Sequence, residues 1–353
     1  MHSKTLHQLV VLFCLLALVP NSPECPQPAF GQTFHNAAIN SAPLHSADHS
    51  NASNYSCDSS LQGFSVDAVS ILVTARNERG DYISQLKAKD FQVFEDGEER
   101  PIVSFREDTV PVNVVLLIDA SYSMTAVLPN VLDGAVAVAR RLRKGDRYSA
   151  VLFAHKPVKI QDWTEDPALL KDVLLNVKVL GHTALYDSME YAIRNLLESV
   201  EGKKALIIWS DGVDNSSAHS LAQVMELAAD HGVTVYPIIR TIPDAQHYRE
   251  MAKYSRDRFK KTSKHFLSYL DTQNEFVDLV ARNGGRFISS ESYQDMKTTY
   301  DSLVEELKSQ YAISYVPQPC HRTEKAFKEL TVKLRNRQGQ VLSRVGYFEG
   351  PSY

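Results

Sequence analysis

The chain has 353 residues. This length exceeds that of one average domain and indicates roughly two domains. Hydrophobic residues make up 44% and charged residues 23%, as in ordinary soluble globular proteins. The net charge of -4 is mild and gives no electrostatic case for nucleic-acid binding.

The N-terminus has the pattern of a secretion signal. An apolar run from Leu9 to Leu18 is too short to span a bilayer. The small-x-small site Ala29-Phe30-Gly31 predicts cleavage before Gln32. We therefore expect residues 1–31 to be a signal peptide and the protein to be exported to the periplasm, the cell surface or the medium. The alternative is a retained N-terminal anchor.

Residues 32–62 are polar and predict a linker with little to bury. Export would remove Cys14 and Cys25 with the signal peptide and leave Cys57 and Cys320. In an oxidising compartment these two form a disulfide candidate. The alternative is two unpaired thiols that never meet.

Residues 63–109 predict a small antiparallel β unit. An alternating β-rich run covers Val66 to Ala75, and short strands are expected over Phe91 to Phe94 and Ile102 to Phe105. Between them, the tetrapeptide Glu95 to Glu98 is a hairpin-type turn in which Gly97 supplies the positive φ.

From residue 110 to about 310, strands and helices alternate. The uninterrupted apolar run Val114 to Ile118 predicts a strand buried on both faces, as in parallel sheets covered by helices. Further strands are predicted over Tyr148 to Phe153, Ala205 to Trp209, Val233 to Ile239 and Arg286 to Ile288, with an edge strand over Pro157 to Ile160. Helices are predicted over about Ala126 to Arg143, Asp166 to Asn176, Leu185 to Val200, Leu221 to His231, Phe276 to Ala281 and Gln294 to Ser309. The fold class is therefore α/β, a doubly wound and mostly parallel sheet flanked by helices.

The C-terminal segment, residues 311–353, is β-rich again. Strands are predicted over Tyr311 to Val316, Phe327 to Leu334 and Val341 to Phe348. Because β-rich segments stand on both sides of the α/β region, we expect the two to pair into one small β subdomain. That pairing would also bring Cys57 and Cys320 into the same neighbourhood.

Residues 240–270 are expected to be an insertion in the α/β region. Between Arg249 and Lys264 there are seven basic residues against two acidic ones. One interpretation is a solvated amphipathic helix. The other is a basic docking patch for an anionic partner or surface, over residues 249–264.

Oxygen-bearing side chains follow three of the predicted strand or helix boundaries. Asp119, Ser121 and Ser123 form a D-x-S-x-S motif directly after the first buried strand, Thr183 lies in a second loop, and Asp211 follows the strand Ala205 to Trp209. In doubly wound sheets, ligands bind beyond the carboxyl ends of the strands, where these loops can converge. Such oxygens suit Mg²⁺, Mn²⁺ or Ca²⁺ and not Zn²⁺. Two carboxylates leave a divalent ion under-neutralised, so it would keep waters, one of which an acidic group of a partner can replace.

These motifs resemble the metal-ion-dependent adhesion site of von Willebrand factor type A domains, here over residues 110–310. The match consists of the D-x-S-x-S motif, the Thr183 loop GHTALYD and the SDG at Ser210 to Gly212. The resemblance implies a Mg²⁺ or Mn²⁺ ion held by Asp119, Ser121, Ser123, Thr183 and Asp211, directly or through water. It also implies a protein ligand that presents an Asp or Glu carboxylate. The flanking β segments are similar to those of exported bacterial proteins that carry this domain.

His182 departs from the family pattern, because a second glycine is common at that position. Its side chain is either a contact to the ligand at the rim of the site or a tolerated surface residue.

Two alternatives to a metal-dependent binding module remain. The five residues could serve as helix caps and turns. The chain could instead be a metal-dependent hydrolase or phosphatase that uses Asp119 as a nucleophile, although Ser121 stands where aspartyl phosphatases generally place a second Asp. Neither serine lies in a G-x-S-x-G motif, so a serine hydrolase is disfavoured.

Overall fold

The computed structural model describes residues 68–107, 110–175, 177–179, 181–240, 271–290, 297–317, 326–335 and 338–349. The predicted signal peptide, the linker, Cys57, Cys320 and the basic segment 249–264 lie outside these ranges, so those expectations stay predictions. Within the ranges, no helix combines the length and the apolar character needed to cross a bilayer.

Strands and helices are numbered here in chain order over the described residues. The strands are β1 (Val69–Arg76), β2 (Phe91–Glu95), β3 (Glu98–Arg100), β4 (Ile102–Arg106), β5 (Val112–Asp119), β6 (Arg147–Phe153), β7 (Pro157–Thr164), β8 (Lys203–Ser210), β9 (Val233–Arg240), β10 (Ile288–Ser290), β11 (Gln310–Tyr315), β12 (Ala326–Leu334), β13 (Gln340–Leu342) and β14 (Gly346–Glu349). The helices are α1 (Leu128–Ala139), α2 (Pro167–Leu174), α3 (Leu185–Ala192), α4 (Leu221–Asp230), α5 (271–282) and α6 (Lys297–Lys308).

The central sheet has six strands in the order β10-β9-β8-β5-β6-β7, all parallel except the edge strand β7. Every residue of β5 is buried, because helices cover both faces of the sheet. Val114 and Leu116 pack into a core shared with α1, α2 and α6, whereas Val115 and Leu117 pack into a second core shared with α3, α4 and α5. The predicted doubly wound sheet is therefore confirmed.

The flanking segments pair with each other, as predicted. They form two antiparallel sheets of four strands, in the orders β13-β1-β11-β4 and β14-β12-β2-β3. Strand β1 pairs with β11, and β2 pairs with β12, so each pairing joins the N-terminal flank to the C-terminal one. Side chains such as Val73, Val93 and Ile313 from both sheets pack into one shared core.

The β2–β3 connection has the predicted hairpin geometry. Glu95 pairs with Glu98, and both central residues have positive φ, 51° at Asp96 and 83° at Gly97. Two consecutive positive φ values are the type I′ conformation, whose twist suits a two-residue hairpin.

Several predicted helices were too long. The predicted helix Ala126 to Arg143 is shorter in the structure, because Arg141 N–H donates to Val138 O and thereby tightens the chain after α1. The predicted helix Leu185 to Val200 is α3 followed by a wide π turn over Ile193–Leu197, in which Glu198 N–H donates to Ile193 O at 2.8 Å.

Two strand predictions were also wrong in detail. The predicted strand Val341 to Phe348 is two strands, β13 and β14, which belong to different sheets. Between them, Arg344 bridges to Asn283, and Val345 N–H donates to Arg282 O at 2.7 Å, so contacts with the turn after α5 carry the chain from one sheet to the other. The predicted strand Arg286 to Ile288 begins only at Ile288.

Candidate metal centre

The loop after β5 places three of the predicted ligands. Asp119 is fully buried at the end of the strand, and its Oδ1 accepts a hydrogen bond from Ser121 N–H at 2.8 Å. This Asx-type turn directs the chain into the short 3-10 helix Tyr122–Met124. Ser121 Oγ lies 3.0 Å from Ser123 Oγ, so the two hydroxyls stand side by side.

The loop after β8 brings the second carboxylate to the first. Ser210 Oγ donates to Asp119 Oδ2 at 2.7 Å, and the Ser123 side chain hydrogen-bonds to Asp211. Asp211 Oδ1 in turn accepts from Val213 N–H at 3.1 Å. Gly212 has a φ of 79°, and a Cβ there would lie 2.7 Å from Ile239 Cδ1, so both the conformation and the close packing require glycine.

The Thr183 loop is joined to both of the others. Tyr122 N–H donates to Gly181 O at 3.3 Å, which links it to the first loop. Thr183 N–H donates to Asn215 Oδ1, and Thr183 O accepts from Asn215 N–H, both at 2.9 Å, which links it to the loop after β8. Thr183 is buried, and its hydroxyl has no hydrogen-bond partner among the described residues. All five predicted ligands therefore belong to one cluster of bonded loops.

The surroundings of the two carboxyl groups disfavour their ionised forms. Burial raises the pKa of Asp119 to about 6, with a further increase from the neighbouring Asp211, against the lowering effect of hydrogen bonds from Ser121 and Ser210. Burial likewise raises the pKa of Asp211. Asp119 forms no ion pair with any described residue. A bound cation would offset the cost of holding both groups ionised.

The donor set is also chemically consistent with a hard cation. Two carboxylates and three hydroxyls stand on three loops that hydrogen-bond to one another. Among the described residues, no group of three or more His, Cys, Asp or Glu could hold a metal. Oxygen ligands of this kind suit Mg²⁺, Mn²⁺ or Ca²⁺. The residues present therefore fit the metal that the resemblance implies.

The rim of the cluster is open and partly aromatic. Ser123 and His182 are exposed, and the Tyr122 side chain is 71% exposed between the two motif serines. Tyr122 and His182 therefore both stand in solvent beside the motif serines.

Two further residues that build the site were not among the predicted ligands. Ser210, directly before Asp211, donates to the Asp119 carboxylate, and Asn215 holds the Thr183 loop. Ser210 could have been recognised from its place before Asp211 in the SDG turn, whereas Asn215 follows no motif. Asp187 does not join the cluster: its carboxylate accepts from the backbone N–H groups of Ala218 and His219, as a brace between α3 and that loop.

The sequence profile of the von Willebrand factor type A domain matches residues 113–278. This match covers β5, β8 and all three loops of the cluster. The chain carries a von Willebrand factor type A domain.

Several solved structures are similar to this chain. The conserved hypothetical protein BatB from Bacteroides thetaiotaomicron is 16% identical with a TM-score of 0.41, over 56% of this chain and 97% of that one. The vWF domain of the type V pili tip protein Mfa5 from Porphyromonas gingivalis is 15% identical with a TM-score of 0.41, over 56% and 95%.

A third similar structure is proximal thread matrix protein 1 from the mussel byssus, with a zinc-occupied MIDAS motif. It is 17% identical with a TM-score of 0.43, and the match covers 62% of this chain but only 50% of the mussel protein. No curated protein sequence gives a significant match to this chain.

Proposed function

We propose that the protein is an exported module that binds a protein partner through a divalent metal ion. Asp119, Ser121, Ser123, Thr183 and Asp211 would hold the ion, with Mg²⁺ as the physiological candidate and Mn²⁺ or Ca²⁺ as alternatives. The ion would supply an electrophilic coordination position for an Asp or Glu carboxylate of the partner. The proposal rests on two carboxyl groups, Asp119 fully buried and Asp211 half-buried, which hydrogen bonds with Ser121, Ser123 and Ser210 hold in one cluster.

The chain's own residues have separate tasks in this proposal. Ser210 orients Asp119 by donating to Oδ2, and the turn at Gly212 fixes Asp211. The exposed Tyr122 and His182 would contact the partner around its acidic residue. The three hydroxyl ligands carry no charge and the shell of the ion would be incomplete, so a carboxylate of the partner could fill the open position.

Metal binding can be tested directly on purified protein. We expect Mn²⁺, titrated by calorimetry and by electron paramagnetic resonance, to bind at one site, with Mg²⁺ as a competitor. Asp119→Ala should weaken Mn²⁺ binding by about 100-fold or more, since a removed carboxylate ligand costs at least a charge-assisted contact at the metal. Asp133→Ala, an exposed aspartate on α1, is the matched control and should bind as the wild type does. Unchanged Mn²⁺ affinity in Asp119→Ala would refute the site.

The partner can be sought in an envelope extract. Immobilised protein should retain a partner in Mg²⁺ and release it in chelator, and Asp119→Ala should retain nothing in either. Retention that is equal in Mg²⁺ and chelator would contradict metal-bridged binding.

The geometry disfavours the alternative of a phosphatase or hydrolase. Ser121 stands two residues after Asp119, where aspartyl phosphatases generally carry a second Asp, and Asp119 itself is 0% exposed. We expect no turnover of a generic phosphate ester; turnover that disappears in Asp119→Ala would reverse this conclusion.

A further inference from the structure

A cleft of about 330 Å³ lies at the amino edge of the central sheet, at the opposite strand ends from the metal centre. One side is formed where β8 and β9 begin, and the other by the sheet that contains β1, β11 and β4. The cleft therefore lies between the von Willebrand factor domain and the β subdomain. Its volume is in the lower range of small-molecule sites.

The β subdomain presents a row of hydroxyls to this cleft. Ser104, Ser314 and Ser70 are direct cross-strand neighbours on β4, β11 and β1, and all three line the cleft. Ser70 Oγ lies 2.9 Å from Ser314 Oγ. Their sequence neighbours Ile71 and Ile313 point to the opposite face, into the core of the subdomain. The serines are thus on a face that the subdomain leaves polar.

The remaining polar lining is mostly basic. Arg106, Lys203, Lys204, His231 and Arg344 line the cleft, and no Asp or Glu is among the described residues that do so. Glu198 and Asp230 lie close enough to Lys204 and Arg344 to raise the pKa of each cation, but neither acid lines the cleft. The lining itself therefore carries a positive charge that favours an anion.

Two of these cations also have structural roles. Lys203 Nζ donates to Leu307 O at 3.3 Å, at the C-terminus of α6, and Arg344 Nη1 donates to Ala229 O at 2.7 Å. Both therefore hold the walls together. Arg106 is exposed at the end of β4, and the described residues include no acidic partner for it. Lys204 Nζ donates to the backbone oxygen of Glu198 at 3.1 Å, and the charge of Glu198 also raises the pKa of Lys204 against the lowering effect of burial.

We propose that this cleft binds a small organic oxyanion, a molecule bearing phosphate or carboxylate groups. Arg106 and Lys204 would supply the charge, and the hydroxyls of Ser70, Ser104 and Ser314 would donate hydrogen bonds to the oxygens. Hydroxyl and cationic donors together are the usual recognition chemistry for such groups. This site is independent of the metal centre and does not rest on the proposed function.

The test uses the full chain made metal-free on a chelating resin, since soluble chelators are themselves polycarboxylates. Inorganic phosphate and citrate are titrated by calorimetry at constant ionic strength. We expect saturable binding of at least one, with a Kd of about 1 mM or tighter, and the stronger ligand identifies the anion class. In Arg106→Gln/Lys204→Gln, affinity should fall about tenfold or more, because two charge-assisted contacts are lost.

A matched pair of lysines controls for loss of charge alone. Lys144→Gln/Lys171→Gln removes two exposed cations that do not line the cleft and should leave binding unchanged. If the double variant does not fold, anion binding is measured in Arg106→Gln alone. The Arg106 side chain is exposed, so this substitution should leave the fold intact. No saturable binding of either anion up to about 10 mM, or equal losses in the two pairs, would overturn the proposal.

Discussion

Strand β8 begins with Lys203 and Lys204 and ends with Ser210, directly followed by Asp211, so its two ends differ in charge. The same contrast holds for the sheet around it. The carboxyl edge carries Asp119 and Asp211, whereas the amino edge faces a cleft lined with basic residues. Parallel strands make this separation possible, because all of their starts lie at one edge and all of their ends at the other.

Burial disfavours the charged form of the ionisable groups at both edges of the sheet. Burial raises the pKa of Asp119 to about 6 and lowers the pKa of Lys204 and of Arg344, so each group is pushed towards its neutral form. A ligand of opposite charge would therefore stabilise each edge, a cation at the carboxyl edge and an anion at the amino edge. One sheet could thus carry the two proposed sites at opposite edges, each with its own charge.

The two edges of the central sheet differ in which groups neutralise or hydrogen-bond a buried carboxylate. Glu306 on α6 is 1% exposed near the amino edge, where Arg76 Nη2 and Arg286 Nε each lie 2.8 Å from its Oε2. Asp119 has serine donors and a second carboxylate for neighbours instead. The same change from carboxylate to amide should therefore have opposite effects at the two positions.

The largest expected change in the free energy of unfolding is that caused by Glu306→Gln. Removing the charge leaves two arginines without their shared partner at the contact between β1 and α6, and we expect a loss of about 3 kcal/mol in the free energy of unfolding. Urea unfolding measures this. Glu305→Gln, on the exposed side of the same helix, breaks only a surface pair with Lys308 and should cost less than about 0.5 kcal/mol. Equal losses in the two variants would show that burial of the ion pair is unimportant.

Asp119→Asn should increase the free energy of unfolding of the metal-free protein, the opposite of what Glu306→Gln does. At neutral pH the carboxylate is held ionised above a folded pKa of about 6, so a neutral isostere should stabilise the chelated protein by roughly 1–3 kcal/mol. Mg²⁺ should stabilise the wild type and leave the variant unchanged. Thermal melts in chelator and in Mg²⁺ measure both effects, with Asp172→Asn on the surface of α2 as the control. A variant that is destabilised in chelator, or still responds to Mg²⁺, would contradict this reading.

The carboxyl edge could be predicted from the sequence because its signals are local. The apolar run Val114 to Ile118 predicts the buried strand, and the D-x-S-x-S spacing then fixes which side chains follow its end. Gly97 and Gly212 mark turns whose positive φ values the structure contains. Ser210 was missed because its role depends on Asp119, which is 91 residues away in the chain.

The amino edge could not be predicted in the same way. Arg106, Lys204 and Arg344 come from three separate parts of the chain, and no spacing relates them until the flanking strands pair. The division of residues 341–348 between two sheets was missed for a similar reason. It depends on contacts of Arg344 and Val345 with the turn after α5, which override a continuous β pattern.

The smallest expected effect concerns the brace beside the metal centre. Asp187 accepts from the N–H groups of Ala218 and His219 at 3.0 Å and lies 2.7 Å from His219 Nδ1. Although its partial burial opposes ionisation, these hydrogen bonds and His219 hold the pKa of Asp187 below its ordinary value. Asp187→Asn should therefore cost about 1 kcal/mol at neutral pH, as loss of a charged cap does.

The lowered pKa of Asp187 determines how the stabilisation by this residue depends on pH. The stabilisation by Asp187 is present above the pKa of an aspartate in the unfolded chain and is lost as the pH falls through the lower folded value. The difference in unfolding free energy between wild type and Asp187→Asn should thus persist at mildly acidic pH and vanish only in strong acid. Equal unfolding free energies of wild type and Asp187→Asn at mildly acidic pH would contradict this prediction. Metal affinity should change little, since Asp187 touches none of the proposed ligands, and this separates the brace from the centre itself.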